Sequence, residues 1–305
     1  MLSLTVALAA LTVLRQAVYP GAGPYGEPIP KFDKGYLLHV AMQRCAVRVH
    51  APGSGQGLNL TLKGPGGMPC SALNAAVDNE GRMAVSISYS TAVGYAGGIV
   101  RLDKTGKQTA FIETGRFVPS HIGFDRRQTL WAIGWQRDEI RNDTADSHDY
   151  FLVRRYSQAG VEDGAFIPRS LWKTRGEPAG GSSSYWHMAF ADDRIGATIY
   201  ENWAHRTAEW IEWDFEGKLL SRIPLGSRDL DGGRAFTSKG ELYGGFWTAN
   251  AWKLFRRDRD ARRWMPVTEV AASELSYLMG ADGDNLVFKA RYGTGEYVWM
   301  QLTEP

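Results

Sequence analysis

The chain has 305 residues, of which 44% are hydrophobic, enough to bury one large core or two smaller ones. Thirty-five Lys and Arg face 33 Asp and Glu, so the formal charge is only +2 and no global field favours nucleic acid or an anionic membrane. Thirty-five Gly and 11 Trp beside few helical patterns point to a turn-rich β protein.

In chain order, the first element is the apolar run "MLSLTVALAALTVL", ended by Arg15. It is short for a membrane span and about right for the core of a signal peptide, so residues 1–20 are expected to be a leader or, if retained, an anchor. That reading places the protein in the periplasm or outside the cell, and a membrane enters only if the segment is kept. Residues 21–33 read as a linker or rim strap, and 34–303 as a single domain. Cys45 and Cys70 are the only cysteines; they can pair in an exported chain or be two small buried residues.

From residue 34 onward the sequence repeats. "KGYLLHVAM", "RCAVRVH" and "GLNLTL" read as three successive strands. Then "NAAVDNEGRMAVSIS" (74–88), "HIGFDRRQTLWAIGW" (121–135), "HMAFADDRIGATIYE" (187–201), "RAFTSKGELYGGFW" (234–247) and "YLMGADGDNLVFKAR" (277–291) each give strand, polar turn, strand. A third strand follows each, and four have a shorter fourth, as in "GGIVRLDKTGK" and "QTAFIET". The turns between the first two strands begin at Asp78, Asp125, Ala191, Thr237 and Asp282. Apart from one longer step after Asp125, the spacing is about 45 residues, the length of a propeller blade. Two insertions, 137–149 and 173–184, account for the longer step. We therefore expect an all-β, six-bladed β-propeller of four-stranded antiparallel blades, closed by strands from both chain ends; a β-sandwich is the rival that the regular spacing disfavours.

The stretch "GGIVRLDKTGKQTAFIETGRFVPSHIGFDRRQTLWAIG" (97–134) resembles a unit of the NHL-repeat and two-component-regulator propellers, through its "LDKTGK" turn, Pro119 and "GFD…LWAIG". More loosely it is similar to the gluconolactonase-like and streptogramin-lyase-like propellers. The first likeness implies a fold and no activity. The gluconolactonase-like group implies a channel metal held by carboxylate and amide side chains; of these only Asn74 stands at the corresponding register, so no metal or other cofactor is expected. The streptogramin-lyase-like group implies a His base at the channel mouth.

With the four strands of a blade named A to D, the A–B and C–D turns share one face and are short. The B–C and D–A connections share the other and are long, as in "STAVGYAG" (90–97), so that face is expected to do the work. Asn74, His121 and His187 each lie three positions before the end of a strand A and should converge at one channel mouth, with Arg234 nearby. Two imidazoles are capable of acid–base work, which makes His121 and His187 the catalytic pair of an enzymatic alternative. The blander alternative is that they are satisfied structural residues. Trp135, Trp186, Trp203 and Trp247 sit at strand ends on the same face, a pattern suited to a carbohydrate, a peptide or protein, or another small molecule. Trp131, Trp213 and Trp299 read as packing between strands. The expected product is a monomeric, extracytoplasmic, non-catalytic binder, with a lyase or lactonase as the alternative.

Overall fold

The recurring polar turn has a local cause. In the computed structural model, Asp78 Oδ1 accepts hydrogen bonds from the backbone N–H groups of Glu80 and Arg82, both at 2.9 Å. Asp103, Asp125 and Asp214 do the same two and four residues on. The fourth residue of the turn must take positive φ: Gly81 lies at 80°, Gly106 at 87°, Gly217 at 84°, and Gln128 fills that place at 63°. Each such turn fixes the register of the hairpin it closes.

The structure describes residues 10–18, 31–41, 44–52, 57–92, 94–136, 150–172, 188–202, 207–225, 233–247, 251–258, 263–271, 275–290 and 296–303. They form six four-stranded antiparallel sheets, the blades of a six-bladed β-propeller. The chain divides into two compact units, residues 26–227 and residues 1–25 with 228–305.

The first unit holds four blades. Blade 1 runs through β2 (Lys31–Asp33), β3 (Tyr36–Ala41), β4 (Ala46–His50) and β5 (Gly57–Thr61). Blade 2 is β6 (Cys70–Val77), β7 (Met83–Thr91), β8 (Gly94–Leu102) and β9 (Gln108–Gly115). Blade 3 is β10 (Phe117–Phe124), β11 (Leu130–Gln136), β12 (Phe151–Tyr156) and β13 (Glu162–Pro168). Blade 4 is β14 (Met188–Phe190), β15 (Ile195–Asn202), β16 (Thr207–Trp213) and β17 (Leu219–Leu225). Large side chains fill the space between sheets: Trp131, Trp172 and Trp213 belong to one fully buried cluster with Ile133, Ile195 and Ile211.

The second unit holds blade 5, made of β18 (Arg234–Phe236), β19 (Leu242–Trp247), β20 (Ala251–Asp258) and β21 (Arg263–Ala271). It also holds blade 6, made of β22 (Leu275–Asp282), β23 (Asn285–Ala290) and β24 (Glu296–Thr303), completed by β1 (Ala10–Val18). Both chain ends therefore share one blade, as expected.

Residues 10–18 of the apolar run read as a leader pair as the outer strand of blade 6, Ala10 with Thr303 through Val18 with Glu296, and two other sequence expectations change. A chain processed after about residue 15 would lose most of that strand. The segment read as a linker or strap ends in β2, which is the strand A that blade 1 lacked. The "STAVGYAG" connection is a tight hairpin rather than a long loop, since Thr91 pairs directly with Gly94.

Cys45 and Cys70 form a disulfide with Cα atoms 5.4 Å apart, tying the β3–β4 turn to the start of β6. The half-cystines are 25 residues apart, and closing a loop of that size is worth about 3.5 kcal/mol in the chain-entropy account. The Cys45→Ser, Cys70→Ser variant is therefore expected to lose roughly that much in urea titration. A loss under about 1 kcal/mol would show that neighbouring strands alone hold blades 1 and 2 together.

Candidate functional site

The site begins with two irregularities at the same place in two blades. Strand β6 carries a bulge between Ala72 and Asn74, and β10 carries one between Pro119 and His121. A bulge adds a residue and re-aims the side chain that follows it. In both strands the re-aimed residue is the one singled out by register, Asn74 and then His121. The bulge in β10 is pinned by Ser120, whose Oγ donates to the Ile133 carbonyl at 3.0 Å. Gly134 allows that close approach, because a Cβ there would stand 2.2 Å from the Val118 carbonyl oxygen.

Asn74 and His121 are both half-buried. They are held together from blade to blade, since Asn74 Oδ1 accepts from the Ile122 N–H at 3.2 Å. Among the described residues no three His, Cys, Asp or Glu side chains are grouped to hold a metal ion.

A basic group missed by sequence reasoning completes the cluster. Lys31 reaches from β2 across two blades, its Nζ donating to the carbonyls of Ala75 at 3.2 Å and Ile122 at 2.8 Å. Lys34 repeats the pattern one step on, donating to Val77 at 3.1 Å and Phe124 at 3.0 Å. Asp33 lies 3.7 Å from the Lys31 ammonium and accepts from the Val77 N–H. Burial holds the Lys31 pKa below its usual value, Asp33 opposes that shift and Lys34 adds to it. The inner edge of blades 1 to 3 thus carries two cations, one carboxylate, an amide and an imidazole. The alternation Lys31, Phe32, Asp33 is the signal: Phe32 is buried in the blade and its charged neighbours lie to either side of it.

Other sequence candidates fall elsewhere. Trp135 is buried, 7% exposed, inside the cluster with Trp131 and Tyr150, so it packs the blade instead of presenting a ring to solvent. Strand β11 is buried on both faces from Leu130 through Trp135, which explains the difference. Arg234 is 4% exposed in blade 5, donating to the carbonyls of Gly233 and Gly245 and lying over the Phe246 ring at 4.2 Å. That arrangement makes it a brace of its own blade. Trp247 ends β19 and pairs with Trp252 in the ladder. His187, Trp186 and Trp203 lie outside the described residues, as do His148 and His205. His39 and His50 form a buried edge-to-face pair at 5.6 Å in blade 1, where burial and then Arg48 lower the pKa of His50.

Solved structures share this architecture. The virginiamycin B lyase of Staphylococcus aureus matches with a TM-score of 0.52 at 14% identity, over 96% of this chain and 100% of its own. The PQQ-bound aldose sugar dehydrogenase of Streptomyces coelicolor matches with a TM-score of 0.54 at 15% identity, over 97% and 98%. An exported-protein candidate of Bacteroides fragilis matches with a TM-score of 0.55 at 11% identity, over 97% and 96%. What they have in common with this chain is the propeller. At such identities the likeness shows the fold alone. Neither a family model nor a curated protein sequence matches the chain.

Proposed function

We propose that this chain is an extracytoplasmic, monomeric propeller that binds a ligand or protein partner, without chemistry, on the face carrying the B–C and D–A connections. The observation that carries a binding site is the pair of aligned bulges that set Asn74 and His121 beside one another at the inner edge, midway along β6 and β10; the choice of face rests on the two long insertions of the sequence, 137–149 and 173–184. Bulges aimed in register are a feature of built sites. The compartment rests on the Cys45–Cys70 disulfide, a bond that persists where the surroundings are oxidising. A second reading, a lyase or lactonase using His121 and His187, draws on the likeness of fold to the virginiamycin B lyase.

The test is a thermal melt of the wild type against panels of oligosaccharides and short peptides, repeated on His121→Ala with His187→Ala. A ligand that raises the wild-type melting temperature should lose its effect on the variant, while the variant's own stability falls by no more than about 1 kcal/mol. A variant that melts far lower yet keeps the ligand response would return both histidines to the scaffold. Ligand consumed by the wild type and left intact by the variant would establish the enzymatic reading.

A further inference from the structure

Blades 2 and 3 place an arginine at the same point of their ladders. Arg101 in β8 pairs with Ala84 on one side and Ala110 on the other, and Arg155 in β12 pairs with Trp131 and Gly164. In both blades the outer ladder slips by one residue just after the arginine, which leaves Thr109 and Asp163 out of register. Both side chains turn towards the next blade. Arg155 Nη1 donates to the Phe215 carbonyl in a turn of blade 4 at 2.8 Å, and the Arg101 guanidinium lies over the Phe124 ring of blade 3 at 5.2 Å.

The two arginines differ in what completes them. Arg155 Nε donates to Asp163 Oδ1 at 2.7 Å, so the residue left out of the ladder supplies the counter-ion. Blade 2 has Thr109 in that place, and its hydroxyl donates to the backbone carbonyl of Arg101 at 3.2 Å. Among the described residues the Arg101 guanidinium has no hydrogen-bond acceptor and no carboxylate within ion-pair distance, and its Nη1 is buried. The strands and turns around it, within 57–92, 94–136 and 150–172, are all described. A ring face attracts a cation but leaves the in-plane fork of a guanidinium unfilled, and a buried donor without an acceptor is costly.

The surroundings favour an anion. Burial, and then the Arg82 charge, lower the Arg101 pKa, and Asp78 opposes them. Asp78 is already committed: its Oδ2 accepts from Arg82 Nε at 2.7 Å and its Oδ1 from two backbone N–H groups. Glu80 pairs with Arg82 as well. A further cation stands close, since Lys34 Nζ lies 5.7 Å from the centre of the same Phe124 ring.

We infer that Arg101 is a receptor for a carboxylate from outside the chain, borne by a small acid or by an acidic side chain of a peptide, which takes the place that Asp163 holds in blade 3. A carboxylate fills the fork with two parallel hydrogen bonds, which an amide cannot reproduce. Arg101 stands one residue before the end of a strand C, so this site belongs to the face of the short turns. It goes beyond the proposed function and does not rest on it.

The experiment exchanges sodium acetate for sodium chloride at constant ionic strength, with acetamide as the uncharged counterpart, and follows the melting temperature of the full chain. Bulk effects of acetate are common to all variants and cancel between them. Acetate at ten times its dissociation constant should raise the wild-type value by about 2 °C more than that of Arg101→Met, and acetamide should show no such difference. Thr109→Asp, at an exposed position, brings the blade 3 carboxylate to blade 2 and should remove the extra rise with the arginine still in place. It also serves as the reference if Arg101→Met does not fold. The peptide acetyl-Gly-Asp-Gly-amide, measured against its Asn counterpart, separates the two sources. An extra rise at lower concentration than acetate requires assigns the site to a peptide side chain, and an equal or weaker response assigns it to a small acid. No extra rise with either probe, or one that Thr109→Asp retains in full, overturns the inference.

Discussion

Replacing Lys31 with Met is expected to cost about 2–4 kcal/mol of folding stability. The substitution keeps the length and the apolar stem of the side chain and removes only its ammonium. Two carbonyl oxygens, Ala75 and Ile122, then lose their side-chain donor, and Asp33 loses its cation. Each buried polar group left without a partner costs roughly 1–3 kcal/mol. The side chain keeps 21% of its surface accessible, so water relieves part of the loss and holds the total below the full sum. The effect also has a pH signature. Burial lowers the Lys31 pKa below 10.5 in the folded state. Between the folded value and 10.5 the unfolded chain holds the extra proton, so wild-type stability rises with pH across that window. The desolvation penalty is present below the folded pKa and is relieved above it, while a neutral amine still has hydrogens for both carbonyls. The gap between wild type and Lys31→Met should therefore widen as pH climbs towards 10.5. Urea titrations at pH 7 and pH 10 measure both parts. A cost under about 0.5 kcal/mol at both pH values would mean that the strands of blades 1 to 3 need no such brace.

Legibility in the sequence followed the range of the interactions. The Asp-x-x-Gly turns are visible because every bond that stabilises them is closed within five residues, so a single hairpin carries its own signature. Blade count and spacing follow from those turns. The shared register of Asn74 and His121 could be counted from the turn that follows each strand, whereas the bulge before each of them carries no signal of its own in the sequence. Lys31 was not legible, because its partners lie 44 and 91 residues away and its strand is only three residues long. Trp135 was placed on the surface because position at a strand end was weighed above the unbroken apolar run Leu130–Trp135, which marks a strand buried on both faces. The pairing of residues 10–18 with β24 was not legible, because leaders and strands draw on the same apolar residue types and the partner strand lies nearly the whole chain away.

Deleting residues 1–20 is accordingly expected to leave blade 6 with three strands and a soluble protein that associates. Strand β1 meets β24 in eight residue pairs, from Ala10 with Thr303 to Val18 with Glu296, with an irregularity around Leu14. Without it β24 becomes the edge of the sheet, a row of N–H and C=O groups open to any other extended chain. In the full-length chain the residue left out of the ladder, Leu14, is 50% exposed, so the bulge turns one apolar side chain outward while the rest of the strand covers the edge. Light scattering should show oligomers of the truncated chain at micromolar concentration. Hydrogen exchange should show backbone amides in 296–303 losing protection while those of blades 2 and 3 keep theirs, because β6 to β13 pair only within their own sheets. Adding a peptide of residues 10–18 in trans should restore both the monomer and the protection, since a free strand donated to an open edge recovers the same backbone bonds. A truncated chain that stays monomeric, with 296–303 as protected as before, would show that β24 needs no partner and that β22 to β24 make a stable blade without the N-terminal segment.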